Sequence, residues 1–70
     1  MTIQMQPVKS TSISEIGYKR RTMNVTFNSG RTYEFKKVPR AIFDEFKRAM
    51  SKGAFFNQEV KESYPSCELT

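Results

Sequence analysis

The chain has 70 residues, with twelve Lys and Arg against seven Asp and Glu, no histidine and one cysteine, giving a net charge of +5. A chain of this length makes one domain, buries only about 60% of the surface its unfolded form exposes, and has no room for a large internal active-site cavity. The lack of histidine excludes His-based acid–base chemistry and His-containing metal sites, and the lone Cys67 excludes an intramolecular disulfide.

Residues 1–7 show no apolar periodicity and are expected to be a flexible lead-in, with 66–70 a matching tail, so that a single domain spans 8–65. Ile13, Ile16 and Tyr18 anchor a first strand over 13–18, and Gly17 within it signals a bulge or a close backbone approach. Lys19, Arg20 and Arg21 follow. Three adjacent cations cannot all be buried unpaired, so they mark a turn or strand end. A second strand over 22–28 places Met23, Val25 and Phe27 on one face at period two. Asn28-Ser29-Gly30 forms a hairpin turn with a left-handed position at Gly30. The third strand, over 31–36, puts Arg31, Tyr33 and Phe35 on one face and Thr32, Glu34 and Lys36 on the other. Short links between strands imply an antiparallel meander.

Pro39 has no N–H for a ladder but suits the first turn of a helix, predicted over 39–50. Ile42, Phe43, Phe46, Ala49 and Met50 form its apolar stripe, and Gly53 is its expected stop, with Lys52 near the negative end of the helix dipole. A shorter helix is expected to begin near Asn57, with Phe56, Val60 and Tyr64 spaced by four, and to stop at Pro65. The fold class is α+β: a three-stranded antiparallel β-meander with two helices packed on one face.

The charge is not spread evenly. Residues 18–40 hold seven cations and one anion, a balance of +6, while the rest of the chain carries −1. A basic strip interleaved with aromatics suits phosphate contact and base stacking, which makes a nucleic acid (RNA or DNA) or a nucleotide the favoured partner. The candidate binding residues are Tyr18, Lys19, Arg20 and Arg21 at one end of the sheet and Arg31, Lys36 and Lys37 along the hairpin. Tyr33 and Phe35 are expected in the core, because Met23, Val25 and Phe27 alone are too few to hold two helices. An acidic protein partner, with this chain as adaptor or inhibitor, is the alternative, and an exposed sheet edge could pair with a partner strand or a second copy.

The carboxylates are scattered and the three glycines isolated, so no acid–base pair and no phosphate-cradling loop is evident. The expectation is a non-catalytic module that needs no cofactor or metal. One cysteine, a polar N-terminus and no apolar run long enough to span a bilayer favour a cytoplasmic setting.

Three segments in order resemble the KTSC domain, a short module named for its similarity to the C-terminal region of some lysyl-tRNA synthetases. They are Ser10-Thr11-Ser12-Ile13-Ser14-Glu15-Ile16-Gly17-Tyr18, then Gly30-Arg31-Thr32-Tyr33-Glu34-Phe35 leading to Val38-Pro39, then Ser51-Lys52-Gly53-Ala54-Phe55-Phe56-Asn57 continuing to Val60 and Tyr64. Phe35 stands where the family usually has a second tyrosine, and Lys19 where an aspartate commonly follows Ile-Gly-Tyr. The resemblance implies a small domain that occurs alone or appended to larger proteins, with RNA binding as its suggested role. It supplies no catalytic residue and implies no synthetase activity.

Overall fold

A computed structural model describes residues 3–69. It contains strands β1 (Met5–Pro7), β2 (Ile13–Lys19), β3 (Thr22–Phe27), β4 (Thr32–Phe35) and β5 (Ser66–Glu68). Helix α1 (Arg40–Arg48) and helix α2 (Lys52–Phe55) lie between β4 and β5, and α2 runs straight into a π-helical turn (Phe56–Val60). The strands form one antiparallel sheet in the order β1-β2-β3-β4-β5.

The architecture is α+β, but the sheet has five strands where the sequence pattern predicts three. The predicted meander is β2–β4. The two further strands lie inside the segments expected as tails, whose outermost residues Met1, Thr2 and Thr70 fall outside the described residues. Both added strands sit at sheet edges, β1 against β2 (Gln6 opposite Ile16) and β5 against β4 (Cys67 opposite Glu34). Every residue of β5 is exposed, and two of the three in β1 are. Backbone pairing alone makes these strands, so they leave no apolar alternation to read. Pro7 is tolerated there because it sits at the end of an edge strand.

The core lies on one face of the sheet. Register pairs Ile16 with Val25 and Met23 with Phe35, so the period-two apolar sets of β2, β3 and β4 coincide. Ile13, Ile16, Met23, Val25, Phe35 and Val38 form one buried cluster with Phe43 and Phe46 of α1 and with Phe56 and Val60 of the π-helical turn. Phe46 also stacks on Phe55, with ring centroids 5.4 Å apart, tying α1 to α2. Gly17 accommodates a close approach rather than a bulge: a Cβ there would lie 2.6 Å from Ile3 Cγ2 and 2.8 Å from the Gln4 carbonyl. The irregularity in register falls instead between Ile13 and Glu15.

The helices differ from expectation at their junction. Helix α1 ends at Arg48, with Ala49 already extended, and Met50 beyond it is fully exposed rather than part of the apolar stripe. Gly53 does not stop α1; it lies inside α2, which starts well before Asn57. Ser51 caps it by accepting the Ala54 N–H at 3.3 Å. Lys52 does reach the end of α1, donating to the Ala49 carbonyl at 2.9 Å.

Candidate nucleic-acid interface

Lys19 pairs with Thr22, leaving Arg20 and Arg21 as a two-residue hairpin loop. Their φ angles are 50° and 64°. A type I′ turn demands positive φ at both central positions, and Asn-Gly is its low-energy sequence. A larger side chain in the left-handed region costs about 1–2 kcal/mol. Lys37 repeats this feature at φ 63°. The two strained segments are neighbours, because the Val38 N–H donates to the Arg21 carbonyl at 2.8 Å.

Tyr18 fixes this arrangement. Its hydroxyl donates to the Val38 carbonyl at 2.6 Å, its ring stacks on Phe43 at 5.0 Å between centroids, and the Arg40 guanidinium lies 5.7 Å from its centre. The ring is thus packed into the join between β2, the β4–α1 connector and α1. Lys36 is held next to the same connector, its N–H donating to the Pro65 carbonyl at 2.9 Å. Lys19 borders a shallow depression with Arg20, Thr22 and Glu34 on the helix-free side of the sheet. Arg20, Arg21, Lys36, Lys37 and Arg40 therefore gather, all exposed, at one end of the sheet. The nearby anions offset them weakly. Glu34 lies 4.0 Å from Lys36, and Asp44 lies 3.3 Å from Arg40 and 3.8 Å from Lys47. Exposed pairs of this kind are worth about 0–1 kcal/mol.

Arg31 is not part of this group. Strand β3 runs the length of the sheet, about 20 Å at roughly 3.3 Å per residue, and Arg31 follows the turn at its far end. There its guanidinium lies 4.0 Å from Glu68. The seven sequence candidates thus divide, six near the β2–β3 turn and one at the opposite end.

Arg31 instead borders a groove of about 520 Å³ between the sheet and the second helical segment. Its wall is aromatic. Phe27 meets Tyr33 and Phe56 edge to face, at 5.7 Å and 5.1 Å between centroids. Phe35 is buried, as expected, but Tyr33 and Phe27 keep part of their surface open. Asn57 and Lys61 stand on the opposite rim. Asn57 lies within the π-helical turn and Lys61 follows it, its N–H reaching back to the Phe56 carbonyl at 2.8 Å. The Ser10 hydroxyl accepts the N–H groups of Ser12 and Ile13 at 3.1 Å and 3.2 Å. The Ser12 carbonyl in turn accepts the Asn28 N–H at 2.8 Å, so the lead-in to β2 braces the β3–β4 turn. Sequence spacing does not reveal Lys61 or this use of Asn57, because the π turn that positions them has no residue signature of its own.

Among the described residues, no group of three or more His, Cys, Asp or Glu is placed to hold a metal ion, and no helix is long and apolar enough to cross a membrane.

These features define a small sheet-and-helix domain with a basic end and an aromatic groove. Residues 9–64 match the KTSC domain, and the chain belongs to that family. It resembles a protein of Tsukamurella paurometabola, 36% identical over 67 residues and covering 93% of this chain and all of that one. It is 35% identical over 60 residues to the lysine–tRNA ligase of Nostoc punctiforme, covering 83% of this chain but only 11% of the enzyme. The crystal structure of a KTSC domain protein from Yersinia pestis is similar at a TM-score of 0.91 and 33% identity, covering 99% of this chain and 100% of that one.

Proposed function

We propose that the protein is a non-catalytic binding module for nucleic acid, RNA in first place, which it grips through the cations at the β2–β3 turn. The observation that carries this reading is the placement of Arg20, Arg21 and Lys37. All three occupy left-handed backbone positions where Asn or Gly costs less, and all three are exposed. Among the described residues, none of the three side chains enters an ion pair. Cations held at a cost to folding, with no ion pair among the described residues, are explained by a partner outside the fold. Neighbouring Lys36 and Arg40 extend the patch, and Tyr18 acts as a positioning residue. A phosphate backbone is the matching partner, because it presents a row of negative charges. RNA is favoured over DNA by the relatives named as lysine–tRNA ligases, which carry a similar segment.

A titration of labelled single-stranded RNA and DNA oligonucleotides at low and moderate salt tests this reading. Binding should weaken steeply as salt rises, and replacing both arginines (Arg20→Glu with Arg21→Glu) should lower affinity about 100-fold at low salt while the domain stays folded. Absence of binding at low salt, or affinity that survives the double charge reversal, would overturn it. The outer edges of β1 and β5, which pair with no further strand among the described residues and could receive a partner strand, would then put an acidic protein partner first.

A further inference from the structure

We infer that the groove at the far end of the sheet is a nucleotide pocket. It would take one flat base together with its phosphate, supplied either by a free mononucleotide or by an unpaired residue of single-stranded RNA. The choice of ligand class rests on the nucleic-acid reading above, but the side chains are a separate set.

Four observations converge on the groove. Its volume of about 520 Å³ lies in the range of small-ligand clefts. Its open aromatic surface, from Phe27 and Tyr33, is held rigid by edge-to-face contact of Phe27 with both Tyr33 and Phe56. Rings so fixed offer a stacking platform that has already lost its rotamer freedom. Arg31 and Lys61 are both exposed at the rim, where one anion, Glu68, stands 4.0 Å from Arg31. That contact joins side chains 66% and 36% exposed, so an incoming phosphate can displace it. Asn57 adds an exposed amide, with donor and acceptor side by side, suited to a base edge.

The fourth observation is backbone geometry. The π-helical turn Phe56–Val60 places Phe56 in the aromatic wall and Asn57 and Lys61 on the rim. Such turns are rare and occur often at functional sites. All three segments that mark this chain's resemblance to its family also meet here. The first contributes Ser12, the second Arg31 and Tyr33, and the third Phe56 and Asn57. The basic end of the sheet does not absorb these residues. A purely apolar occupant would use the rings and leave Arg31, Lys61 and Asn57 idle. A bare phosphate would use the cations and leave the rings idle. A nucleotide engages both.

The test is a titration of the ¹⁵N-labelled protein with adenosine monophosphate, with inorganic phosphate and with a six-nucleotide oligoadenylate, followed through backbone amide shifts. Adenosine monophosphate should move the amides of Arg31, Asn57 and Lys61, and inorganic phosphate at the same concentration should move them far less. A double variant of exposed residues, Arg31→Glu with Lys61→Glu, should weaken mononucleotide binding about tenfold or more. If the same variant also weakens the oligoadenylate, the occupant is a residue of the polymer; if it weakens the mononucleotide alone, the occupant is the free nucleotide. The inference is overturned if adenosine monophosphate leaves the groove amides unmoved, or if its shifts persist in the double variant. Oligoadenylate binding confined to the β2–β3 turn, with a silent groove, would sink this inference and leave the nucleic-acid reading standing. A groove filled by mononucleotide, with no oligonucleotide binding anywhere, would do the reverse.

Discussion

The two ends of this sheet use the same kinds of residue in opposite ways. At the β2–β3 turn the aromatic ring is structural, and among the described residues Arg20, Arg21 and Lys37 enter no ion pair. Tyr18 spends its hydroxyl on Val38 and its face on Phe43, while Arg20, Arg21 and Lys37 project from strained backbone. At the β3–β4 end the aromatic rings are partly open and the cations stand at the rim, with Arg31 beside Glu68 and Lys61 on the π-helical turn. On the proposed readings, one end would meet charge and the other a flat ring carrying charge. The turn holds strain in the backbone that carries the cations, whereas the groove has only a widened helical turn that sets two side chains.

The core that joins the two ends is the most damaging place to perturb both. Phe46 is fully buried and stacks on Phe55. Phe46→Ala should cost about 3–5 kcal/mol, close to the whole stability of a domain this small. In a urea melt followed by circular dichroism it should abolish the cooperative transition, and both binding surfaces should disappear together. Survival of either surface would mean that the two ends do not depend on one core.

A milder change separates the ends. Tyr18→Phe removes the hydrogen bond to the Val38 carbonyl and should cost about 1 kcal/mol. The connector that carries Lys37 loosens, so RNA affinity should fall, though by less than in the charge reversal of Arg20 and Arg21. The amides around Asn57 and Lys61 should keep their shifts. An equal disturbance at both ends would contradict the assignment of Tyr18 to the turn alone.

How much of this was legible in the sequence depends on whether a residue's role is local. The central strands were, because Met23, Val25 and Phe27 alternate and pair with equally periodic neighbours. The edge strands were not, because Met5–Pro7 and Ser66–Glu68 are made by backbone pairing and bury almost nothing. The clustering of cations was visible as charge, but its division was not. Arg31 and Lys36 look adjacent along β4, yet they stand at its two ends. The Arg20-Arg21 loop could be placed at a turn on charge alone; its left-handed geometry could not, because arginine gives no sign of positive φ. Ser51, Lys52 and Gly53 read as the close of one helix and are the start of the next, since Gly53 fits both roles. The groove was the least legible feature. It needs Ser12, Tyr33 and Asn57 from three distant segments, and a π-helical turn to aim the last of them.

On the proposed reading, Arg20 and Arg21 are kept at the turn for a partner and at a cost to the fold. The most direct test is the replacement of both by the residues the turn geometry prefers, Arg20→Asn with Arg21→Gly. Stability by urea denaturation and RNA affinity by fluorescence anisotropy should be measured on the same samples. The account predicts changes of opposite sign: stability should rise by about 1–2 kcal/mol as the left-handed strain is relieved, while RNA affinity falls at least about tenfold. Unchanged affinity in the stabilised variant would contradict it, and so would a loss of stability.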